Sequence, residues 1–201
     1  MRSLRTSATR MTNCAMEAAD IRIEFTRHGD RFAHRVLVID TATTDAARFV
    51  PLLDSREGTA DDDWPASPPW QEVHCERRAG GVHVALVVGK AGRCHWSASF
   101  ELDPAGSLSV DVACRAAAAA NWLGSTYGIH GPVEIESPRA AVRLAEPWIL
   151  QPDASDAACT IERCDQPRSL VLRPEIDPAG AWPRTIRWKY RIMAAAEPRR
   201  P

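Results

Sequence analysis

The stretch Trp70–Arg115, WQEVHCERRAGGVHVALVVGKAGRCHWSASFELDPAGSLSVDVACR, predicts four consecutive β-strands joined by short turns. The turn sequences are AGG at 79–81, GKAG at 89–92 and DPAG at 103–106. In the last of them, proline suits the second position of a type I turn, and glycine supplies a left-handed residue after it. Short connections make consecutive strands antiparallel neighbours, so this stretch predicts a four-stranded meander.

Side chains in this stretch alternate between apolar and polar, which is the two-residue period of a strand. One face of the third strand carries an apolar set: Cys94, Trp96, Ala98, Phe100 and Leu102. We expect such faces to form the core, because burying one large apolar side chain contributes about 1.5 to 3 kcal/mol. The polar faces of the four strands are then expected to share one surface.

Similar patterns predict further strands along the chain. They are Ile21–Phe25, His34–Ile39, Phe49–Leu53, Pro132–Ser137, Ala140–Ala145, Cys159–Cys164, Ser169–Arg173 and Thr185–Met193. Residues 121–128 have the composition of a loop, and no convincing amphipathic helix of 12 or more residues is present. The predicted fold class is therefore all-β: an antiparallel β-sandwich, or a distorted barrel, of about ten strands with a central four-stranded meander.

The 201 residues are enough for one domain with a full hydrophobic core. We expect a disordered N-terminal tail at 1–19, a single β-sandwich domain at 20–193 and a frayed C-terminal tail at 194–201. Residues 54–69 contain Gly58, three consecutive aspartates and three prolines, which predicts a long loop. Loops of this length in a compact domain are usually functional or disordered.

Charge and hydropathy exclude several classes of partner. The chain has 25 basic and 26 acidic side chains and no basic stripe, so no nucleic-acid partner is expected. No stretch approaches the roughly 18 apolar residues that span a bilayer, and the N-terminus lacks the apolar core of a secretory signal. A cytoplasmic location without a membrane partner follows, with the oligomeric state left open. Because the cytosol favours thiols, Cys75, Cys94 and Cys114, at apolar positions, are expected to be buried and free.

Polar residues of the meander and tryptophans in or beside loops are the candidate ligand-binding residues. They are His74, His95, Glu101, Asp111, Arg115, Trp64, Trp70 and Trp122. Aromatic rings suit the C–H faces of a sugar, while carboxylates and arginine bind hydroxyl groups, and loops of a rigid scaffold often carry such sites. The alternative interpretation of the same residues is a solvated outer face and tryptophans that cover the core.

No sequence motif identifies a family, a catalytic residue, a cofactor or a metal site. Gly-x-Ser-x-Gly, a glycine-rich phosphate loop and His-Glu-x-x-His are all missing from the sequence. The run Asp61–Asp63 lacks the residue order of a calcium loop, and His74 with His95 supplies too few ligands for zinc.

Three classes of function therefore stay open. The first is binding of a carbohydrate or other polar small molecule on the polar sheet face, which predicts His95, Glu101 and Arg115 in one pocket with a loop tryptophan at its rim. The second is a carbohydrate-active enzyme on the same scaffold, which requires a histidine and a carboxylate within hydrogen-bonding reach. The third is a protein-interaction module that uses strand edges or the loop tryptophans.

Overall fold

The computed structural model describes residues 12–40, 48–135, 137–154, 157–165, 168–177 and 179–195, and within them the chain forms fifteen strands. The strands are β1 Thr12–Ala18, β2 Ile21–His28, β3 Arg31–Ile39, β4 Phe49–Ser55, β5 Trp70–Arg77, β6 His83–Ala91, β7 Cys94–Leu102, β8 Leu108–Ala116, β9 Ser125–Ile129, β10 Glu134–Ile135, β11 Val142–Arg143, β12 Trp148–Pro152, β13 Cys159–Asp165, β14 Arg168–Pro174 and β15 Arg184–Ala194. A single turn of 3-10 helix, Ala79–Gly81, connects β5 and β6.

The predicted meander is confirmed as β5 to β8, four antiparallel strands in sequence order. Trp96 lies opposite Cys114 in the register of β7 and β8, and the apolar face of β7 points into the core. Trp96 and Phe100 are 2% and 1% exposed, whereas His95 is exposed on the opposite face. The alternation of the sequence therefore assigns the two faces of this segment correctly.

All strands belong to one antiparallel sheet. Its order is β10-β11-β12-β15-β8-β7-β6-β5-β3-β4-β9-β14-β13, with β2 on the other edge of β3 and β1 beyond β2. The sheet curls until β13, at one end of the order, contacts β12 and β15 near the other end. The predicted all-β antiparallel class is confirmed, as a nearly closed, barrel-like sheet with more strands than the ten expected.

The structure corrects the assignment of the N-terminal residues. Residues 12–18, which were expected to belong to a disordered tail, form β1 and pair along β2. A disulfide joins Cys14 of β1 to Cys75 of β5, so the prediction that Cys75 is a free thiol is wrong. Cys94 and Cys114 are buried and free, as predicted. The remainder of the two predicted tails, 1–11 and 196–201, lies outside the described residues, while β15 extends through Ala194.

Two further strands were not predicted. Residues 125–129, which have the composition of a loop, form β9 between β4 and β14. β9 includes Gly128, where an added Cβ would lie 2.5 Å from Nη2 of Arg56, so the glycine makes room for this guanidinium. The second is β12, which joins the end strands β10 and β11 to β15.

Large aromatic side chains fill the interior of the sheet. Trp96 and Trp188 meet edge to face with ring centroids 6.0 Å apart, and Phe25 contacts Phe100 in the same way at 5.1 Å. Such pairs contribute about 0.5 to 1.5 kcal/mol beyond their burial. In the described part of the chain, no helix has the length and apolarity needed to traverse a bilayer.

Candidate functional site

β3 shares one of its edges between two strands, and this leaves a gap in the sheet. The segment Arg35–Ile39 pairs with β4, whereas Phe32 pairs with Trp70 at the start of β5. A cavity of about 470 Å³ lies at this gap. Its lining residues are Thr26, His28, Asp30, Arg31, Ala33, His34, Arg35, Asp54, Ser55, Arg56, Glu57 and Gly58. We call this space the β3–β4 cavity.

The segment that follows β4 forms one wall of the cavity and is held on β9 by hydrogen bonds. The backbone nitrogen of Arg56 donates to the carbonyl oxygen of Thr126 at 2.9 Å. Further along, the backbone nitrogen of Thr126 donates to Oγ of Ser67 at 3.0 Å, and its hydroxyl donates to the carbonyl of Ala66 at 2.8 Å. The long loop expected at 54–69 is therefore attached to the sheet at both of its ends.

Arg31 brings an incompletely paired guanidinium to the cavity. Its side chain is only 5% exposed, and Nε and Nη2 each donate to a carboxylate oxygen of Asp30 at 3.0 Å. These hydrogen bonds lower the pKa of Asp30 below its ordinary value. The third nitrogen, Nη1, is buried and has no hydrogen-bond partner among the described residues. A buried donor without an acceptor is costly, so an acceptor brought within reach of Nη1 would remove that cost.

Glu57 lines the same cavity as Arg31, and the two side chains interact electrostatically. The hydroxyl of Ser55 accepts from the backbone nitrogen of His34 at 2.8 Å and donates to Oε1 of Glu57. Burial is the largest influence on this carboxyl group and raises its pKa to about 7. Glu57 therefore gains and loses its proton near neutral pH, which is the range suited to proton exchange with a ligand.

A buried polar network extends from His34 into the core. Nε2 of His34 lies 2.8 Å from the hydroxyl of Tyr127, which in turn is hydrogen-bonded to the hydroxyl of Tyr190. Next to this pair, Nε1 of Trp188 donates to Oγ of Ser125 at 3.0 Å. Burial raises the pKa of both tyrosines and keeps these hydroxyls neutral. The second ring nitrogen of His34, Nδ1, has no partner in the described structure.

The buried state of His34 predicts how stability changes with pH. Burial lowers its pKa from 6.5 to about 3, so between these values only the unfolded chain binds a proton there. The stability that neutral His34 provides is complete above pH 6.5 and is lost as the pH falls towards 3. We expect the parent to lose about 2 kcal/mol more than His34→Gln between pH 6 and pH 4. Urea unfolding across this range measures the difference, and parallel profiles would contradict it.

A histidine and a carboxylate also meet at the rim of the cavity. Oδ2 of Asp54 lies 2.8 Å from Nε2 of His130, while its Oδ1 accepts from Nε of Arg35 at 3.0 Å. His130 is 44% exposed, so its imidazole is open to solvent. This is the kind of contact that the enzyme hypothesis requires, but it is formed by residues other than those proposed from the sequence.

Of the five polar residues predicted on the meander, two lie together. His95 and Arg115 are opposite each other in the register of β7 and β8 and line an outer groove of about 480 Å³ with Glu72 and Lys90. The other three, His74, Glu101 and Asp111, are not among its lining residues. Glu101 lies 3.9 Å from Arg78, and Asp111 accepts from Arg187 at 2.6 Å. His74 lies opposite Leu86 in the register of β5 and β6.

The three predicted loop tryptophans do not form the rim of this groove. Trp70 is the first residue of β5, is 1% exposed and packs edge to face on Phe100, so the prediction that it offers a surface to a ligand is wrong. Trp64 is half-buried against the core. Trp122 is also half-buried and lies beside Gly124. None of the three lines either cavity.

The cavity residues Arg31, His34 and Glu57 were not predicted, although the sequence carries signals for two of them. His34 lies on the same inward face of β3 as Val36 and Val38. A histidine at an otherwise apolar position of a strand indicates a buried polar group. Glu57 lies in the long loop for which a functional role was one expectation. Arg31 follows a Gly-Asp turn, and nothing in that pattern indicates burial. In the described ranges, no group of three or more His, Cys, Asp or Glu side chains is placed to hold a metal ion.

Comparison with known proteins does not assign the chain to a family. No protein-family model matches the chain, and no curated protein matches it in sequence. Every inference about function therefore depends on the chain's own side chains.

Proposed function

We propose that this chain binds a polar small molecule, such as a carbohydrate or another ligand rich in oxygen atoms, in the β3–β4 cavity. The observation that carries the proposal is Nη1 of Arg31, a buried donor without a partner in the described chain that belongs to a residue of the cavity wall. Burying this N–H without an acceptor disfavours the empty state. A ligand oxygen at this position satisfies the donor and forms a charge-assisted hydrogen bond.

The dimensions and chemistry of the cavity suit such a ligand. Its volume of about 470 Å³ falls within the range of roughly 300 to 1,000 Å³ of small-molecule sites. Its wall contains basic side chains that donate hydrogen bonds and acidic side chains that accept them, including Arg35, Asp54 and Glu57. The outer groove with His95 and Arg115 is similar in volume, but its charged side chains are exposed and therefore already solvated. This contrast favours the β3–β4 cavity over the polar sheet face proposed from the sequence.

Arg31→Met tests the proposal directly. We expect the dissociation constant of any ligand that binds the parent to rise about 10-fold to 100-fold, because a hydrogen bond to a charged group contributes about 1.5 to 3 kcal/mol. Calorimetric or NMR titration with a panel of sugars and small polar compounds measures the change. Arg187→Met is the matched control, since that guanidinium is exposed and paired with Asp111 on another face. Equal affinities for the parent and Arg31→Met would contradict the proposal.

A second candidate, acid–base catalysis, is favoured by the contact between Asp54 and His130. The carboxylate holds the imidazole by one nitrogen, which is how a general base is oriented. Glu57, in the same cavity as Asp54, supplies a carboxyl group able to exchange a proton near neutral pH. Turnover of a bound glycoside that is lost in His130→Asn, with binding retained, would distinguish catalysis from binding.

A cytoplasmic location stays a prediction from the sequence. The disulfide between Cys14 and Cys75 argues against this prediction, because structural disulfides persist in oxidising compartments and are rare in the cytosol.

A further inference from the structure

We propose that the ligand of the β3–β4 cavity is an acidic small molecule, whose carboxylate or phosphate group binds between Nη1 of Arg31 and a protonated Glu57. Ligand binding is then coupled to the presence of a proton on Glu57. This inference rests on the proposed function, since it names the class of ligand that the same cavity takes.

The net charge of the cavity wall favours one bound anion when Glu57 is neutral. Three arginines line the cavity, Arg31, Arg35 and Arg56, against the two aspartates Asp30 and Asp54. Both aspartates already accept hydrogen bonds from arginines, Asp30 from Arg31 and Asp54 from Arg35. With Glu57 neutral, the arginines exceed the aspartates by one charge, and a bound anion balances it. With Glu57 ionised, the wall is already balanced, and its carboxylate repels a second anion.

Hydrogen bonds determine where Glu57 carries its proton. The hydroxyl of Ser55 accepts from the backbone nitrogen of His34 and donates to Oε1 of Glu57. Because Oε1 is an acceptor in this arrangement, we assign the proton of neutral Glu57 to Oε2. A neutral carboxyl group donates strongly to an anionic oxygen, because the bond is charge-assisted. Arg31 and Glu57 together therefore offer two donors to one acidic group.

Several charged or titratable groups surround Glu57 besides Arg31. They are His28 of β2, Asp30 in the turn between β2 and β3, His34 and Arg35 of β3, Asp54 of β4, Arg56 beside it, and Tyr127 of β9. His34 and Tyr127 are neutral at pH 6 to 8, since burial lowers the pKa of the first and raises that of the second. His28 lines the same cavity and His130 contacts Asp54 at its rim, so control variants have to separate both imidazoles from Glu57.

The test is titration of the full chain with acetate, inorganic phosphate and glucose at pH 6 and pH 8, by NMR or calorimetry. Acetate keeps its charge over this range, so any pH dependence belongs to the protein. Because burial raises the pKa of Glu57 to about 7, we expect acetate affinity to fall about tenfold from pH 6 to pH 8. At pH 8, calorimetry in buffers of different ionisation enthalpy should show uptake of close to one proton per acetate.

Glu57→Gln separates this inference from a general electrostatic effect. The amide is a neutral donor at every pH, so the variant should keep the pH 6 affinity and bind acetate about tenfold more tightly than the parent at pH 8. His28→Asn and His130→Asn should each retain the pH dependence of the parent. A pH-independent affinity in the parent, or the same tenfold fall in Glu57→Gln, overturns the inference.

The probes also distinguish this inference from the proposed function. If glucose binds in an Arg31-dependent manner and the two anions do not, the acidic ligand class is wrong and the proposed function stands. If no probe binds at millimolar concentration, or if Arg31→Met changes the binding of none, both are wrong.

Discussion

Removing the disulfide between Cys14 and Cys75 lowers the free energy of unfolding by about 4 kcal/mol, as expected from the chain entropy of a loop this long. The two cysteines are 61 residues apart in sequence, and the bond attaches β1 to β5 across the sheet. Without it, β1 is held by its pairing with β2 and by packing alone. Urea unfolding of the parent and of a Cys14→Ala, Cys75→Ala double variant measures the loss.

A reductant and a matched cysteine provide the controls for this experiment. Reduction of the parent should reproduce most of the loss seen in the double variant. Cys164→Ala should unfold within about 0.5 kcal/mol of the parent, because Cys164 is exposed and free. A parent whose unfolding midpoint is the same with and without reductant would show that the bond adds nothing to stability.

Gly89→Ala is expected to cost about 3 kcal/mol, a large effect for the addition of one methyl group. A Cβ on Gly89 would overlap the carbonyl oxygen of Pro69 and lie 2.7 Å from its carbon. Both are backbone atoms, so neither can rotate away, and a shift of Pro69 would displace the buried ring of Trp70 beside it. Thermal unfolding should show a midpoint lower by about 6 to 12 °C for a chain of this size.

Gly29→Asn is the control for the glycine experiment. An added Cβ at Gly29 meets no atom within 4 Å, although the residue has a φ of +62°. Asparagine tolerates this conformation, so the cost should stay below about 1 kcal/mol. Similar losses in the two variants would mean that replacing a glycine is costly in itself, and that the contact with Pro69 does not explain the effect at position 89.

The fold could be predicted from the sequence wherever local chemistry decides the structure. In the meander, short turns fix the pairing and strict alternation fixes the faces, so the buried positions of Trp96 and Phe100 follow from the sequence alone. β9 and β12 have no such signal, because they are short and their pairing is decided by strands far away in the chain. β1 carries a mixed sequence, and its pairing with β2 and its disulfide hold it in place.

The candidate site could not be predicted because long-range pairing creates it. Arg31 and Glu57 are 26 positions apart, and they line one cavity because β4 leaves the edge of β3 before β5 joins it. The polar face of the meander was assigned correctly as a face, but its members are spread along the strands. Glu101 is six positions from His95 along β7, and Asp111 lies opposite Ser99, so neither lies in the groove with His95. Alternation predicts the side of a sheet on which a residue lies and does not predict which residues of that side share a pocket.

The position of β15 has a consequence for the synthesis of the chain on the ribosome. This strand lies between β8 and β12 in the sheet order, although it is the last described strand to be made. The edge of β8 that pairs with β15 therefore has no native partner until residues 184–194 have been made. Open strand edges recruit other chains, so a chaperone that shields β8 during translation would raise the yield of native protein.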